Sequence, residues 1–247
     1  MTRRRQLAIL VAVAAALPIH AAAAAAPTLP PASPPGAVRV SDERLITKWA
    51  YTADVRPVYS RPDERSRRVA RLHALTEDGF PEVYVVLSRW TNAVGNTWLQ
   101  IRVPKRPNGV TGWVHESALG ALHTVHKALR INRRTLRITL YDHGRPVFSA
   151  RIGVGKAGTP TPAGRFYIRE KFRVHGVPLY GPAALGTSAY APHLTDWPGG
   201  GVVGLHGTNQ PGLIPGRPSH GCIRLRNDKI RSLYRLVPRG TPLWIHD

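Results

Sequence analysis

The 247-residue chain has one cysteine and one methionine, and it is short of acids, with 14 Asp+Glu against 35 Lys+Arg. A single cysteine excludes an internal disulfide framework and any multi-thiolate metal site. The shortage of carboxylates leaves a formal net charge of +21. Such a surplus suits polyanionic surroundings: nucleic acid, an anionic membrane or an acidic cell wall. It is also what a GC-rich genome produces, since arginine greatly outnumbers lysine. Aromatic residues are sparse at 7%, yet 43% of the chain is hydrophobic, so it is no disordered polycation. The length allows one or two domains with a sizeable core.

The sequence has one long apolar run, Leu7–Leu17, preceded by Arg3, Arg4 and Arg5 and followed by Pro18 and the run Ala21–Ala26. That order of charge, apolar stretch and small residues reads as an export signal over 1–26. A membrane anchor is the alternative, but Pro18 and His20 break the run below the ~20 apolar residues of a span. Thr2-Arg3-Arg4 is a weak hint of twin-arginine export. No cysteine lies near the cleavage zone, which argues against a lipoprotein. Export makes nucleic acid a poor partner and puts the lone thiol in an oxidising compartment, the periplasm or the cell wall. Residues 27–44 are proline-rich and read as a stiff linker.

From there a mainly β fold is expected. Pro81–Leu87 is a compact strand candidate. In Trp98–Val103, Leu99, Ile101 and Val103 share one face while Gln100 and Arg102 face away. With the turn at Pro107–Gly109 and Gly112-Trp113-Val114 beyond it, residues 45–120 suggest a small barrel. The stretches Val55–Tyr59, Val69–Leu72, Thr97–Ile101 and Thr111–His115 resemble a bacterial SH3-like domain, which implies a wall- or peptide-binding module. A spacer that binds nothing stays open beside it. After Val125 alternation restarts through Leu136, Ile138 and Leu140, turns at Asp142–Arg145 and returns through Phe148, Ala150, Ile152 and Val154. Phe166 and Ile168 mark another strand, and Val202–His206 a buried one. Asn227 is a candidate helix cap ahead of Ile230, Leu233, Tyr234 and Val237, Gly240 stops that one late helix, and Leu243–Ile245 closes the sheet.

The cysteine, Cys222, sits in Ser219-His220-Gly221-Cys222-Ile223-Arg224-Leu225, downstream of Gly204-Leu205-His206-Gly207-Thr208. A thiol attacks as thiolate and needs a base or positive surroundings. Gly221 frees the backbone to aim N–H groups at one point, as an oxyanion hole requires. If Ser219–Leu225 is extended, His220 and Cys222 start ~6–7 Å apart along one face, too far for direct proton transfer. His206 enters from another strand and is the better base, with His220 in a supporting role. Acids are too few nearby to orient that base, so a backbone carbonyl near Gly207 is expected to do so. An inert buried thiol is the competing reading. A zinc site from His175, His193, His206, His220 and Asp196 finds no usual ligand spacing, so no metal is expected.

The pair His206-Gly207-Thr208 and Ser219-His220-Gly221-Cys222-Ile223-Arg224 resembles the signature of the L,D-transpeptidases with a YkuD-type catalytic domain. The likeness extends to Thr159–Phe166 upstream and to Asn227 and Gly240–Leu243 downstream, covering about Val125–Asp247. It implies a β-sandwich-like catalytic domain over 125–247. It also implies attack by Cys222 on a peptidoglycan tetrapeptide stem, with release of D-Ala and a thioester resolved by the third-residue amine of another stem into a 3→3 cross-link. His206 would move the protons, and amides near Gly221 and Cys222 would hold the oxyanion. Ser219, His220 and Gly207 would shape the site, Arg224 would support the motif or meet a substrate carboxylate, carbapenems would acylate the thiol, and no cofactor would be needed. L,D-carboxypeptidase or other hydrolysis of the same thioester remains open, as does a non-catalytic wall-binding protein. The segment 175–193, rich in Gly and Pro, is a candidate lid.

Overall fold

The computed structural model describes residues 33–192, 194 and 200–247. The expected export signal, residues 27–32 of the linker, His193 and Asp196 lie outside the described residues. The described chain is mainly β, arranged as two sheets with one α-helix among the described residues.

The first sheet runs Arg68–Arg71, Pro57–Tyr59, Thr111–His115, Thr97–Arg102, Val83–Thr91, Thr47–Tyr51, His123–Val125. Val38–Arg39, within the proline-rich segment, adds to Val83–Thr91. Leu99, Ile101 and Val103 enter a core with Val58, Tyr84, Val86 and Val114. Gln100 points away from them, as the alternation requires, yet it too is buried. The opposite face carries a second cluster, Tyr59, Trp98 and Trp113.

The second sheet has ten strands. Its pivot is Gly164–Arg173. Gly164–Tyr167 pairs with Pro242–His246, whereas Ile168–Arg173 pairs with Ala183–Tyr190. A strand shared in this way lets the sheet fold over itself into a sandwich. Leu129, Ile138, Leu140, Ile152, Phe166, Leu185, Leu205 and Ile223 meet in one core. The Arg137–Asp142 and Arg145–Arg151 hairpin turns on His143 (φ 48°) and Gly144 (φ 78°), the pair of left-handed positions that a two-residue turn requires. Leu136 is not a strand residue: at φ 52° it belongs to the preceding turn.

The helix is Asn227–Leu236, with Ile230 and Leu233 fully buried. Asn227 does not cap it. It is the first helical residue, and its Oδ1 instead accepts the Thr208 N–H at 2.9 Å, joining the helix start to the chain after His206.

The two sheets share a polar seam. Tyr167, fully buried, donates its hydroxyl to Val83 O at 2.9 Å. Arg169 is 1% exposed and pairs with Glu82, which is 0% exposed, and with Glu77 at 2.9 Å. A lone buried guanidinium would be prohibitive, so the two carboxylates from the first half are a condition of its burial.

Candidate active site

The strands Gly164–Arg173, Ala183–Tyr190 and Val202–His206 lie side by side, with Ile223–Arg224 parallel to the last. Their register sets Phe172, Ala184, His206 and Arg224 in one row across the sheet. Two residues along, Glu170, Gly186 and Gly204 form the next row. Cys222, one residue before the registered Leu205–Ile223 pair, completes it beside Gly204. Strands lie ~4.8 Å apart and two residues span ~6.6 Å, so His206 and Cys222 are diagonal neighbours with Cα atoms about 8 Å apart. The intervening Gly204 puts no side chain between them, and its backbone hydrogen-bonds the thiol.

His206 is 4% exposed. Its Nδ1 lies 2.6 Å from Gly207 O. A carbonyl only accepts, so Nδ1 carries the proton and Nε2 is the accepting nitrogen. The orienting group is therefore a backbone carbonyl, as the scarcity of acids implied. Tyr180 stands edge-on to the ring at 4.8 Å. Burial holds the His206 pKa down at about 4, and the charge of Arg224 pulls it the same way, outweighing the Gly207 hydrogen bond. Burial raises the Cys222 thiol, against the Gly204 hydrogen bond and Arg224. Near neutral pH the pair therefore rests as thiol and neutral imidazole rather than as an ion pair.

The Cys222 loop is pinned by two hydroxyls, those of Ser219 and Thr161. Ser219 Oγ donates to Cys222 O at 2.6 Å and accepts the Gly221 N–H at 3.2 Å. Thr161, 1% exposed, donates to Gly221 O at 2.7 Å and accepts the Gly155 N–H at 2.9 Å. Gly221 holds φ 127°, a conformation glycine tolerates and L side chains rarely adopt. Its amide is thus engaged within the chain, and its visible part is the turn rather than a donor aimed at substrate. Gly207 is packed against Gly181, Pro182 and Asn227 Oδ1, leaving no room for a Cβ.

Two clefts meet at the thiol. One, of about 160 Å³, is lined by Cys222, His206, Ser219, His220 and Arg224 together with Tyr180 and Ala191. The other, of about 310 Å³, shares Tyr180, Val202, His206 and Cys222 and continues to Glu170 and Asp78. The structure thus gathers Cys222, His206, Ser219, His220 and Arg224 in one place, with Gly207 and Gly221 behind them. His175 lines neither cleft, and among the described residues no three His, Cys, Asp or Glu side chains form a metal-holding group. The candidate lid segment 175–193 is only in part a rim. Ala183–Tyr190 within it is a wholly buried strand, while Leu179 and Tyr180 overlook the thiol.

Some supporting residues carry no signal in sequence. Arg106, from the first half, donates to Ala191 O at 3.2 Å and to Leu194 O and Gly200 O, each at 2.8 Å. Asn108 brackets Tyr190 through its O and N–H at 2.8 and 2.9 Å. Together they moor the rim of the smaller cleft. Thr161 lies inside the stretch that carried the family likeness, but only the fold shows what its hydroxyl holds.

A family model for the L,D-transpeptidase catalytic domain, YkuD, matches residues 126–245. The chain is 36% identical over 121 residues to the putative L,D-transpeptidase YkuD of Bacillus subtilis, covering 49% of this chain and 65% of that protein. It is 32% identical over 128 residues to the putative L,D-transpeptidase YqjB of the same organism, covering 47% and 69%. With the probable L,D-transpeptidase YbiS of Escherichia coli it shares 32% identity over 139 residues, 48% of this chain and 44% of that one. The chain thus spans less than two thirds of the first of these relatives. Taken with the cleft that its two signature segments build, the matches show that the chain belongs to the L,D-transpeptidase family with a YkuD-type catalytic domain.

Proposed function

We propose that this protein is an exported cysteine L,D-transpeptidase that forms 3→3 cross-links between peptidoglycan stems. In this reading Cys222 attacks the carbonyl between the third residue and the terminal D-Ala of a tetrapeptide stem. His206 Nε2 takes the thiol proton as the S–C bond forms, and the oxyanion is met by backbone amides with that of Cys222 foremost. When the C–N bond breaks, His206 returns the proton to the departing D-Ala amine. The amine of a second stem then attacks the thioester and gives up a proton through His206, and the thiol re-forms. Because thiol and imidazole both rest neutral, proton transfer accompanies attack rather than preceding it. Arg224, beside both groups, is read as a contact for a substrate carboxylate.

The observation that carries this reading is the His206 ring, locked on Gly207 O with Nε2 as its accepting nitrogen, on the same sheet face as Cys222. Two clefts converging on one sulfur favour an acyl donor and an acyl acceptor over water alone. We further read the chain as a catalytic half over 125–247 preceded by an SH3-like module over 45–120, itself a candidate wall binder. The test is muropeptide mass spectrometry after incubation with tetrapeptide dimers. The expected products are free D-Ala and 3→3 linked species; trimmed tripeptides with no such dimer would reduce the enzyme to a carboxypeptidase.

A further inference from the structure

The arginine surplus is not spent at the cleft. On the strands Gly164–Arg173, Pro242–His246 and Lys127–Asn132, the registered neighbours Arg165, Trp244 and Arg130 stand in a row. Arg165 and Arg130, on the two strands flanking Trp244, lie 5.3 Å and 5.5 Å from its ring centre, the His246 ring lies 4.6 Å from it, and Arg130 also covers Tyr141 at 4.9 Å. Trp244 is 38% exposed, and neither flanking guanidinium has a carboxylate partner among the described residues.

This row floors a cavity of about 280 Å³ whose other wall includes Asp42, Glu43 and Arg44. A second hollow of about 710 Å³ continues from it through Glu43 and Arg165 and adds Arg39 and Arg102. The two acids are already engaged. Asp42 Oδ1 accepts the N–H groups of Arg44, Leu45 and Ile46, and Glu43 is paired bidentately with Arg102 at 2.5 and 2.7 Å. Five guanidiniums and two carboxylates line the groove, and with Arg102 spent on Glu43, those of Arg39, Arg44, Arg130 and Arg165 are left without a carboxylate partner among the described residues. It shares no lining residue with either cleft at Cys222.

We propose that this groove binds an anionic polysaccharide, its carboxylate or phosphate groups seated on Arg165 and Arg130. The indole braces both guanidiniums, so little side-chain freedom is lost when an anion arrives. Two strand spacings put the pair ~10 Å apart, about the repeat of an acidic disaccharide. A nucleic acid would want a bare aromatic face for its bases, and here the Trp244 ring is shared among Arg130, Arg165 and the His246 ring. The choice of a glycan rests on the proposed wall function; the anion-binding geometry does not.

The test is equilibrium binding of the full chain to four polymers: polygalacturonate, phosphomannan, neutral dextran and duplex DNA. One or both acidic glycans bind, with affinity falling steeply as salt rises, and the stronger of the two identifies the anion; dextran does not bind. Arg130→Gln and Arg165→Gln each weaken binding about tenfold, the loss of one charge-assisted contact. Arg67→Gln/Arg68→Gln, which removes two exposed charges elsewhere, leaves it within about twofold by the same measure. Equal loss in that control, no loss in the groove variants, dextran binding as well as the acids, or DNA binding tighter than either glycan would each overturn the proposal. Carbapenem acylation of Cys222, followed by intact mass, stays at wild-type rate in every groove variant and shows that they are folded. Failure of wild-type acylation would instead sink the transpeptidase reading and leave the binding result standing.

Discussion

Thr161 offers the sharpest check on how the thiol loop is held. Its hydroxyl ties two backbone groups that otherwise do not meet, donating to Gly221 O at 2.7 Å and accepting from Gly155 N at 2.9 Å. Thr161→Val keeps the shape and deletes the hydroxyl. Two buried backbone groups then lose their partner, and each unsatisfied group costs about 1–3 kcal/mol. Local relaxation recovers part of that, so we expect a net loss of about 2–4 kcal/mol. For a chain of this size 1 kcal/mol moves Tm by about 2–4 °C, so the fall is about 4–16 °C by calorimetry. The Gly221 turn also loses a tether one residue from Cys222, so carbapenem acylation should slow more than its substrate affinity weakens. Thr161→Ser, which retains the hydroxyl, should recover most of both effects. A valine variant melting within a degree of wild type and acylating at the same rate would refute the tether, and with it the idea that the loop is positioned from the Gly155 side.

Three further outcomes follow from the geometry. Cys222 should be alkylated slowly by iodoacetamide at pH 7, with a rate that climbs to a midpoint above the ordinary thiol range, because burial raises its pKa; a plateau below pH 7 would mean a resting ion pair with His206. Glu170 is raised to about 7 by burial and by Asp78, against the pull of Thr76 and Arg169. Its folded form therefore holds the proton more tightly than the unfolded one, and its contribution to stability falls as pH rises from the ordinary carboxylate range to about 7; Glu170→Gln should flatten that part of the Tm–pH curve, and an unchanged slope would remove Glu170 as its source. Gly207→Ala forces a Cβ into Gly181, Pro182 and Asn227 Oδ1, a clash worth about 1–3 kcal/mol; acylation should fall along with Tm, and a stable variant of full activity would show that the carbonyl orienting His206 tolerates displacement.

Much of the site was legible because its chemistry is concentrated in two short segments. A lone thiol flanked by His-Gly elements after an export-type start has few innocent explanations, and the period-two strands identified a mainly β chain. Spacing along one strand favoured His206 over His220 as the proposed base, and both line the cleft beside Cys222. What stayed hidden are contacts made by common residues across large sequence gaps. Arg106, Asn108 and Thr161 are unremarkable in type, and only the folded chain brings them to the cleft rim and the thiol loop. Asn227 misled for the same reason. Its side chain suits a helix cap, but tertiary packing offered it the Thr208 amide instead. The amide of Gly221 likewise reads as an oxyanion donor until Ser219 Oγ is seen beside it.

The buried Arg169–Glu82–Glu77 seam has a thermodynamic consequence. Two halves joined only by a tether would melt independently and show two calorimetric transitions. Here unfolding either half opens the seam and forfeits its ion pairs, the Tyr167–Val83 hydrogen bond and the apolar contacts of Tyr167 with Trp49, Val83 and Val85. The chain should therefore melt in a single transition, with calorimetric and van't Hoff enthalpies in agreement. A fragment beginning at His126 would carry the whole YkuD match and the thiol, yet it would leave Arg169 without its two carboxylate partners and Ala191, Leu194 and Gly200 without their Arg106 mooring.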